Sequence, residues 1–376
     1  MTSMPPDDAA ARAVSIDRVA IVGTGLIGTS IALAATRTGA IVTGWDLDPS
    51  ASERAAAGGG LLARGSLEEA VRGAELVVVC TPIQHIAAAV TRVLVLAPTA
   101  IVTDAGSIKA HVVSQVEEMA DPADLPRFVP GHPLGGSERS GPEHAAASVV
   151  DDIVWVVAPA RMSDPDAAQR LDAWITRIGA RPVRLTPERH DRLVAVVSHL
   201  PQVASTSLMG VAAIEEAGEP DLLLLAAGGF RDLTRLAASN PRLWSEILLA
   251  NREQIVDAID LFVARLGVLR AKIAASQALE VERTFEEAKQ ARLRLAAKPT
   301  VRAGVAVLQV AIADEPGALA RITSSLAAGE VNIEDLQIVH SPEGGRGTVH
   351  LTVAASSSAD AVEVLRASGH DPIRLA

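Results

Sequence analysis

The feature that most constrains this chain is an apolar strand running into a glycine-rich turn, a helix, a second strand and an acid. It occupies residues 19 to 46, VAIVGTGLIGTSIALAATRTGAIVTGWD. In Gly23-x-Gly25-x-x-Gly28, the first glycine permits a tight turn, the second lets backbone approach a pyrophosphate, and the third lets helix and strand pack closely. The first helical turn, with Leu26 and Ile27, then offers unpaired N–H groups and a positive dipole end to an anion. Asp46 follows Gly23 by 46 − 23 = 23 residues, where the second strand ends and a carboxylate can accept hydrogen bonds from an adenosine ribose. This order predicts dinucleotide binding, with NAD favoured over NADP because a 2′-phosphate would meet a like charge. Arg37 and Arg54 lie near enough in sequence to serve that phosphate instead. The competing reading is a glycine-rich turn in an ordinary α/β domain.

At 376 residues and ~150 residues per domain the chain should form two or three domains. Hydrophobic residues make up 49% and mean hydropathy is +0.27, which predicts compact domains. Residues 1–14 read as a loose tail without the apolar core of a signal peptide. Apolar runs are broken by charge or glycine before the ~18 to 20 residues of a membrane span, so a cytoplasmic protein is expected. Cys80 is the only cysteine. It excludes intrachain disulfides and reads as a small buried hydrophobe rather than a nucleophile. The net charge of −11 with scattered basic residues argues against a nucleic-acid surface.

Beyond the first βαβ unit, SLEEAVRGAELVVVCTP, IQHIAAAVTRVLVLAP and AIVTDAG continue the alternation of helix and strand that a doubly wound parallel sheet requires. DIVWVVAP and RPVRLTP read as further strands around a helix opened by Ser163-Asp164-Pro165. These complete a domain over residues 15–185. Residues 186–297 carry long runs rich in Ala, Leu and Arg, predicting an all-helical domain whose apolar faces suit a helix-mediated dimer. Lys298-Pro299-Thr300 reads as a linker. Residues 301–376 give β, α, β, turn, β, α: a small α+β module, with Pro316 and Gly317 opening its first helix and residues 343–345 turning a hairpin.

Chemistry concentrates in TDAGSIKA (103–110), GHPLGGSERSG (131–141), VSHLPQVAS (197–205) and GGFRDLTRLAASNPRLWSEILLANR (228–252). The first two fall where loops should leave the carboxyl ends of strands, the ligand side of open α/β sheets. Together with the GTGLIG start, these segments resemble the TyrA family of prephenate and arogenate dehydrogenases, and the C-terminal module resembles an ACT domain. The resemblance covers essentially the whole chain past the tail.

It implies NAD(P)-dependent oxidative decarboxylation of a cyclohexadienol, in which hydride leaves the hydroxyl-bearing ring carbon and loss of CO2 aromatises the product. His132 matches the catalytic histidine and suits a base that takes the hydroxyl proton. Ser107 matches a serine that binds the same hydroxyl near the nicotinamide, and it could also cap a helix starting at Ile108. Thr81, Pro82 and Ser107 join Gly23, Gly25, Leu26, Ile27, Gly28 and Asp46 as expected cofactor contacts. His199 either contacts substrate or cofactor or bridges two domains. Arg231 matches the arginine that clamps a substrate carboxylate, against a bland solvated helix arginine. Ser137 and Glu138 resemble positions at the pocket rim. Trp244 either reaches a neighbouring subunit's site or is core. His85, His111, His144, His190, His340, His350 and His370 match no motif, and surface or capping roles are expected for them. No metal is expected, since the nicotinamide is the electron acceptor.

ACT modules pair through their sheets and bind amino acids near the loop after the first strand. Here that loop is Asp314 to Gly317, with Asn332 a second contact, so the resemblance implies an aromatic amino-acid effector; the other reading is a dimerising element without a ligand. The leading function is prephenate dehydrogenase. Arogenate dehydrogenase is the close alternative, and a non-catalytic amino-acid or nucleotide sensor comes from a different class. A sensor would need no base, and a generic β-hydroxyacid dehydrogenase would want a catalytic lysine and leave GHPLGGSE and GFRD unexplained.

Overall fold

The computed structural model describes residues 15–135, 141–219, 221–296, 305–313, 315–340 and 346–375. The expected tail, the linker at 298–300 and the turn at 343–345 lie outside them. The chain divides into two compact units: residues up to Ala204 with Ala238–Asp260, and Ser205–Ala237 with Leu261–Ala376.

The first unit is built on β1 (Arg18–Val22), α1 (Leu26–Arg37), β2 (Ile41–Trp45), α2 (Pro49–Ala57), β3 (Leu62–Ala63), α3 (Leu67–Val71), β4 (Leu76–Val79), α4 (Ile83–Leu96), β5 (Ile101–Asp104) and α5 (Ala110–Met119). The five strands form one parallel sheet in the order β3-β2-β1-β4-β5. Because β4 is buried along its length, it reads in sequence as an unbroken apolar run rather than an alternating one; β5 is equally buried but ends in Thr103 and Asp104. Alternation along the strands still sorts the core into two layers. Val19, Ile21, Leu76 and Val78 pack with Ile31, Ala32 and Ala35 of α1, whereas Ala20, Val22, Val77 and Val79 pack with Ile86, Val90 and Val93 of α4 and Val112 and Val116 of α5.

A second sheet follows, made of β6 (Gly131–Pro133), β7 (Val154–Val157), α6 (Pro165–Arg177) and β8 (Arg181–Arg184), with β6 antiparallel and β8 parallel to β7. The Val102–Phe128 bridge ties its approach to the first sheet. Asp164 caps α6 by accepting the N–H of Asp166, with Pro165 at the first helical position. The expected loop at residue 131 is instead a strand. Gly131 lets it form there, because a Cβ would lie 2.7 Å from Trp155 Nε1 and 2.8 Å from Thr103 Oγ1; three residues that begin with glycine and end with proline carry no strand signal in sequence.

Helices then take over, as the sequence predicts: α7 (Pro187–Val194), a π turn at Ala195–His199, α8 (Leu200–Glu216), α9 (Gly228–Thr234), α10 (Pro241–Ala250), α11 (Arg252–Ala274) and α12 (Ala278–Ala296). The continuous helix Pro187–Glu216 is long and apolar enough to cross a membrane, contrary to the sequence expectation. It nevertheless buries the polar side chains of His190, Asp191, His199, Gln202 and Ser205. In the second unit, β9 (Val305–Ala313), α13 (Ala318–Ala328), β10 (Ile333–His340), β11 (Arg346–Ala354), α14 (Ser358–Ala367) and β12 (Ile373–Leu375) form a βαββαβ module. Its antiparallel sheet has the order β10-β11-β9-β12 and a core of Leu308, Val310, Ile322, Leu326, Val349, Leu351 and Leu365. Gly317 caps α13 at φ 88°, a left-handed conformation that favours glycine. The final strand, three residues long, is absent from the sequence reading.

Candidate active site

The order of the parallel sheet reverses between β1 and β4, the switch point at which open α/β sheets bind ligands. Gly23, at φ 95°, ends β1 there, and a Cβ on it would lie 2.7 Å from the Cys80 carbonyl carbon and oxygen. A Cβ on Gly28 would approach Gly23 O to 2.0 Å. Both glycines therefore serve the packing of turn on strand and helix. Gly25 differs: it caps α1 without a side-chain bond, and a Cβ there meets nothing within 4 Å. The helix thus opens onto space at the end where a pyrophosphate fits, beside the first-turn residues Leu26 and Ile27. Asp46, just past β2, accepts the Thr24 N–H at 2.7 Å through Oδ2 and the Asp48 N–H at 3.0 Å through Oδ1. It ties the second strand to the glycine turn; Oδ2 also accepts from Thr24 Oγ1 at 3.4 Å, and Oδ1 keeps a lone pair for a ribose hydroxyl. Thr81 Oγ1, at the end of β4, is buried with no hydrogen-bond partner, and Pro82 caps α4 beside it. An open cradle, an acid and an orphaned hydroxyl fit a dinucleotide. Half-buried Cys80 bears no such sign, since burial pushes its thiol up, away from the nucleophilic thiolate.

The second cluster converges on β6. Lys109 and Asp104 are fully buried and paired, and Lys109 Nζ also donates to the Gly131 carbonyl at 2.6 Å. Asp104 accepts the N–H groups of Gly106 and Gly131 at 2.9 and 3.2 Å. This pair fixes the strand residue next to His132. From α7, the Asp191 carboxylate accepts the N–H groups of Lys109 and Ala110, both at 2.8 Å, capping α5 from 82 and 81 residues away. Ser107 is consequently no cap: α5 starts at Ala110 with Lys109 at the N-cap, and half-buried Ser107 lies in the loop before it. Asp191 Oδ1 also meets His190 Nδ1 at 2.7 Å, and His190 Nε2 meets His132 Nδ1 at 2.9 Å. His132 remains partly exposed. Removal from water, with His190, Lys109 and His199 nearby, holds it well below the ordinary imidazole value, so it is neutral near pH 7.

His199 closes the π turn and is 2% exposed. Its Nδ1 lies 3.3 Å from Asn251 Nδ2, which also donates to the Asp191 carbonyl at 2.9 Å. Burial lowers its pKa to about 4, opposed by Asp191 and aided by His190. Trp244 stands edge-on to it, with centroids 6.0 Å apart and an interplanar angle of 80°. Half-buried Trp244 thus packs within its own chain, against the core that contains Ile247.

The structure brings together His132, His199 and Trp244, and adds Asp104, Lys109, His190, Asp191 and Asn251, which sequence reasoning missed. His190 in particular is wholly buried, not a surface or capping residue. A signal was present: Pro187, His190, Asp191 and Val194, all buried, have the i, i+3, i+4, i+7 spacing of a core-facing helical stripe. Arg231 lies in the second unit on α9, exposed, its Nε donating to the Ala226 carbonyl at 3.1 Å. Ser137, Glu138 and Asp314 lie outside the described residues. Pro316 is exposed, and Asn332 Nδ2 donates to Glu334 Oε1 at 2.7 Å.

Residues 31–184 match the nucleotide-binding domain of prephenate dehydrogenase, and residues 186–287 match its dimerization domain. The chain is 31% identical to the prephenate dehydrogenase of Bacillus subtilis over 351 residues, covering 89% of this chain and 92% of that protein. Its fold resembles that of prephenate dehydrogenase from Aquifex aeolicus, solved with hydroxyphenyl propionate and NAD+ (TM-score 0.69, 28% identity, covering 75% of this chain and 99% of that one). It also resembles Synechocystis arogenate dehydrogenase (TM-score 0.65, 28% identity, covering 74% and 99%). With a glycine cradle for a dinucleotide and a neutral imidazole on the adjoining sheet, this chain belongs to the prephenate dehydrogenase family.

Proposed function

We propose that the chain is a cytoplasmic, NAD-dependent prephenate dehydrogenase, converting prephenate to 4-hydroxyphenylpyruvate, CO2 and NADH. The observation that carries this reading is His132: a neutral, partly exposed imidazole held by a buried network in the same unit as the glycine cradle. NAD, when bound, supplies the hydride acceptor. His132 takes the ring hydroxyl proton as hydride leaves the same carbon, and the proton returns to the phenolate oxygen once CO2 has departed, so no net proton is released. Ser107 orients the hydroxyl, and Arg231 clamps a carboxylate. His199 and Trp244 line the pocket, with Ser137 and Glu138 at its rim. Gly23, Gly25, Leu26, Ile27, Gly28, Asp46, Thr81, Pro82 and Ser107 hold the cofactor. The test is NADH formation by purified protein offered prephenate and arogenate, each with NAD and NADP. Turnover with prephenate and NAD supports the reading; none with either substrate would refute it. Likeness to the Synechocystis enzyme favours arogenate as the second reading, which the same panel separates.

Residues 15–185 serve as the cofactor domain and 186–297 as the dimerising domain. A homodimer is supported by the exposed apolar side chains of α11, where Phe262, Leu266 and Ile273, on one face, are 38%, 48% and 58% exposed. The βαββαβ module, residues 301–376, is assigned as an ACT domain. Its βαββαβ element order and the order of its antiparallel strands support this. An aromatic amino acid is the expected effector, bound near Asp314, Pro316, Gly317 and Asn332. A tenfold inhibition needs only ~1.4 kcal/mol of differential affinity. Truncation after Ala297 should leave an active enzyme that tyrosine no longer inhibits, and undiminished inhibition would place tyrosine at the catalytic cleft.

A further inference from the structure

The hydrogen bonds around His132 form a chain from Asp191 through His190 to its Nδ1. Asp191 Oδ1 and Oδ2 accept two backbone N–H groups, from Lys109 and Ala110, so the third contact of this carboxylate, at 2.7 Å, is with a protonated His190 Nδ1. In the tautomer with that proton on Nδ1, His190 Nε2 accepts, and His132 Nδ1–H donates across the 2.9 Å contact. His132, itself neutral, is left with its lone pair on Nε2. His199 is set the opposite way. Asn251 Nδ2 must face the Asp191 carbonyl, which only accepts, so its second N–H points to His199 Nδ1, leaving the His199 proton on Nε2. The two imidazoles therefore present opposite functions, an acceptor at His132 and a donor at His199.

Building on the dehydrogenase reading above, we propose that His190, held by Asp191, is a positioning residue that fixes the tautomer of His132 and shares its proton during turnover. As His132 Nε2 takes the substrate hydroxyl proton, its Nδ1 proton shifts toward His190 Nε2, while His190 Nδ1–H stays on Asp191. The positive charge thereby spreads toward a carboxylate instead of remaining on a ring near the Lys109 ammonium. When the phenolate forms, the shift reverses and Nε2 returns its proton to the oxygen. A carboxylate that holds a ring in the productive tautomer without becoming protonated is a known solution to this problem. The other groups facing the relay are Asp104 at the end of β5, Lys109 from the loop after it, His199 from the π turn, and Glu188, His111 and Arg252, which line a cavity of about 440 Å³ bordered by Asp191.

Histidine-selective 15N labelling of the intact enzyme, with long-range 1H–15N correlation near pH 7, tests the tautomers without any substitution. His132 should be protonated at Nδ1 and His199 at Nε2; the reverse tautomer at His132 would overturn the inference. His190→Ala should lower kcat by about 10²-fold, move the acidic limb of the pH profile, and leave KM and NAD binding within about threefold. His190→Gln, whose amide oxygen can accept from His132 Nδ1, should recover about tenfold of that loss. Native kcat and an unmoved pH profile in His190→Ala, alongside an inactive His132→Asn, would refute the relay alone. Near-normal turnover in His132→Asn would overturn the base assignment and the relay with it.

Discussion

Replacing Lys109 by methionine removes the one side-chain cation paired, among the described residues, with the buried Asp104 carboxylate, at a site where neither side chain reaches solvent. The methionine fills most of the lysine stem's volume, so the loss is electrostatic rather than a cavity. Asp104 keeps two backbone donors, Gly106 and Gly131, while the Gly131 carbonyl loses its bond to Nζ. Breaking one side of a buried pair costs about 3–5 kcal/mol, because the other charge stays desolvated. For a unit of this size that lowers Tm by roughly 6–20 °C. Urea unfolding followed by the fluorescence of Trp155 and Trp174, both buried in the same unit, reads the change. Asp104→Leu added to Lys109→Met should recover much of it, since no unpaired charge then remains. A single variant destabilised by less than about 1 kcal/mol would refute this account of the pair.

The depressed pKa values of His132 and His199 give two pH expectations. For activity, kcat/KM should hold its plateau down through pH ~6.5, because His132 stays unprotonated below the ordinary imidazole range; an acidic limb at or above that value would contradict it. For stability, the unfolded chain binds protons below ~6.5 that the folded protein refuses until lower pH. Stability is thus complete above that value and falls as pH drops toward about 4 for His199. The urea midpoint should follow, with a shallower slope in His199→Gln, and equal slopes would refute the assignment. Arg231→Ala should raise KM for substrate by an amount equivalent to roughly 2–5 kcal/mol while changing kcat much less; an unchanged KM would make Arg231 structural.

The glycine turn and the strands β1 and β4 were legible in the sequence because a buried parallel strand is written as an apolar run and the turn needs glycine for steric reasons. Asp164-Pro165 and Gly317 marked their helix starts for equally local reasons. What stayed hidden depends on distant partners. Asp191 caps a helix more than 80 residues away, so the start of α5 moved from Ile108 to Ala110. Lys109 and Asp104 look like loop charges until Gly131 closes over them. The three-residue strands β6 and β12 are too short to show alternation, and their pairing is decided by their neighbours. His190 sat on a readable helical stripe, yet only the contact with His132 gives that position chemical meaning.

The central claim is that a neutral His132 takes the hydroxyl proton as hydride departs. Its most direct test is the rate of NADH appearance at saturating prephenate and NAD for the parent protein and His132→Asn, with NAD affinity measured separately by fluorescence. The account predicts kcat lower by about 10²-fold or more with NAD binding preserved; near-normal turnover in His132→Asn would contradict it.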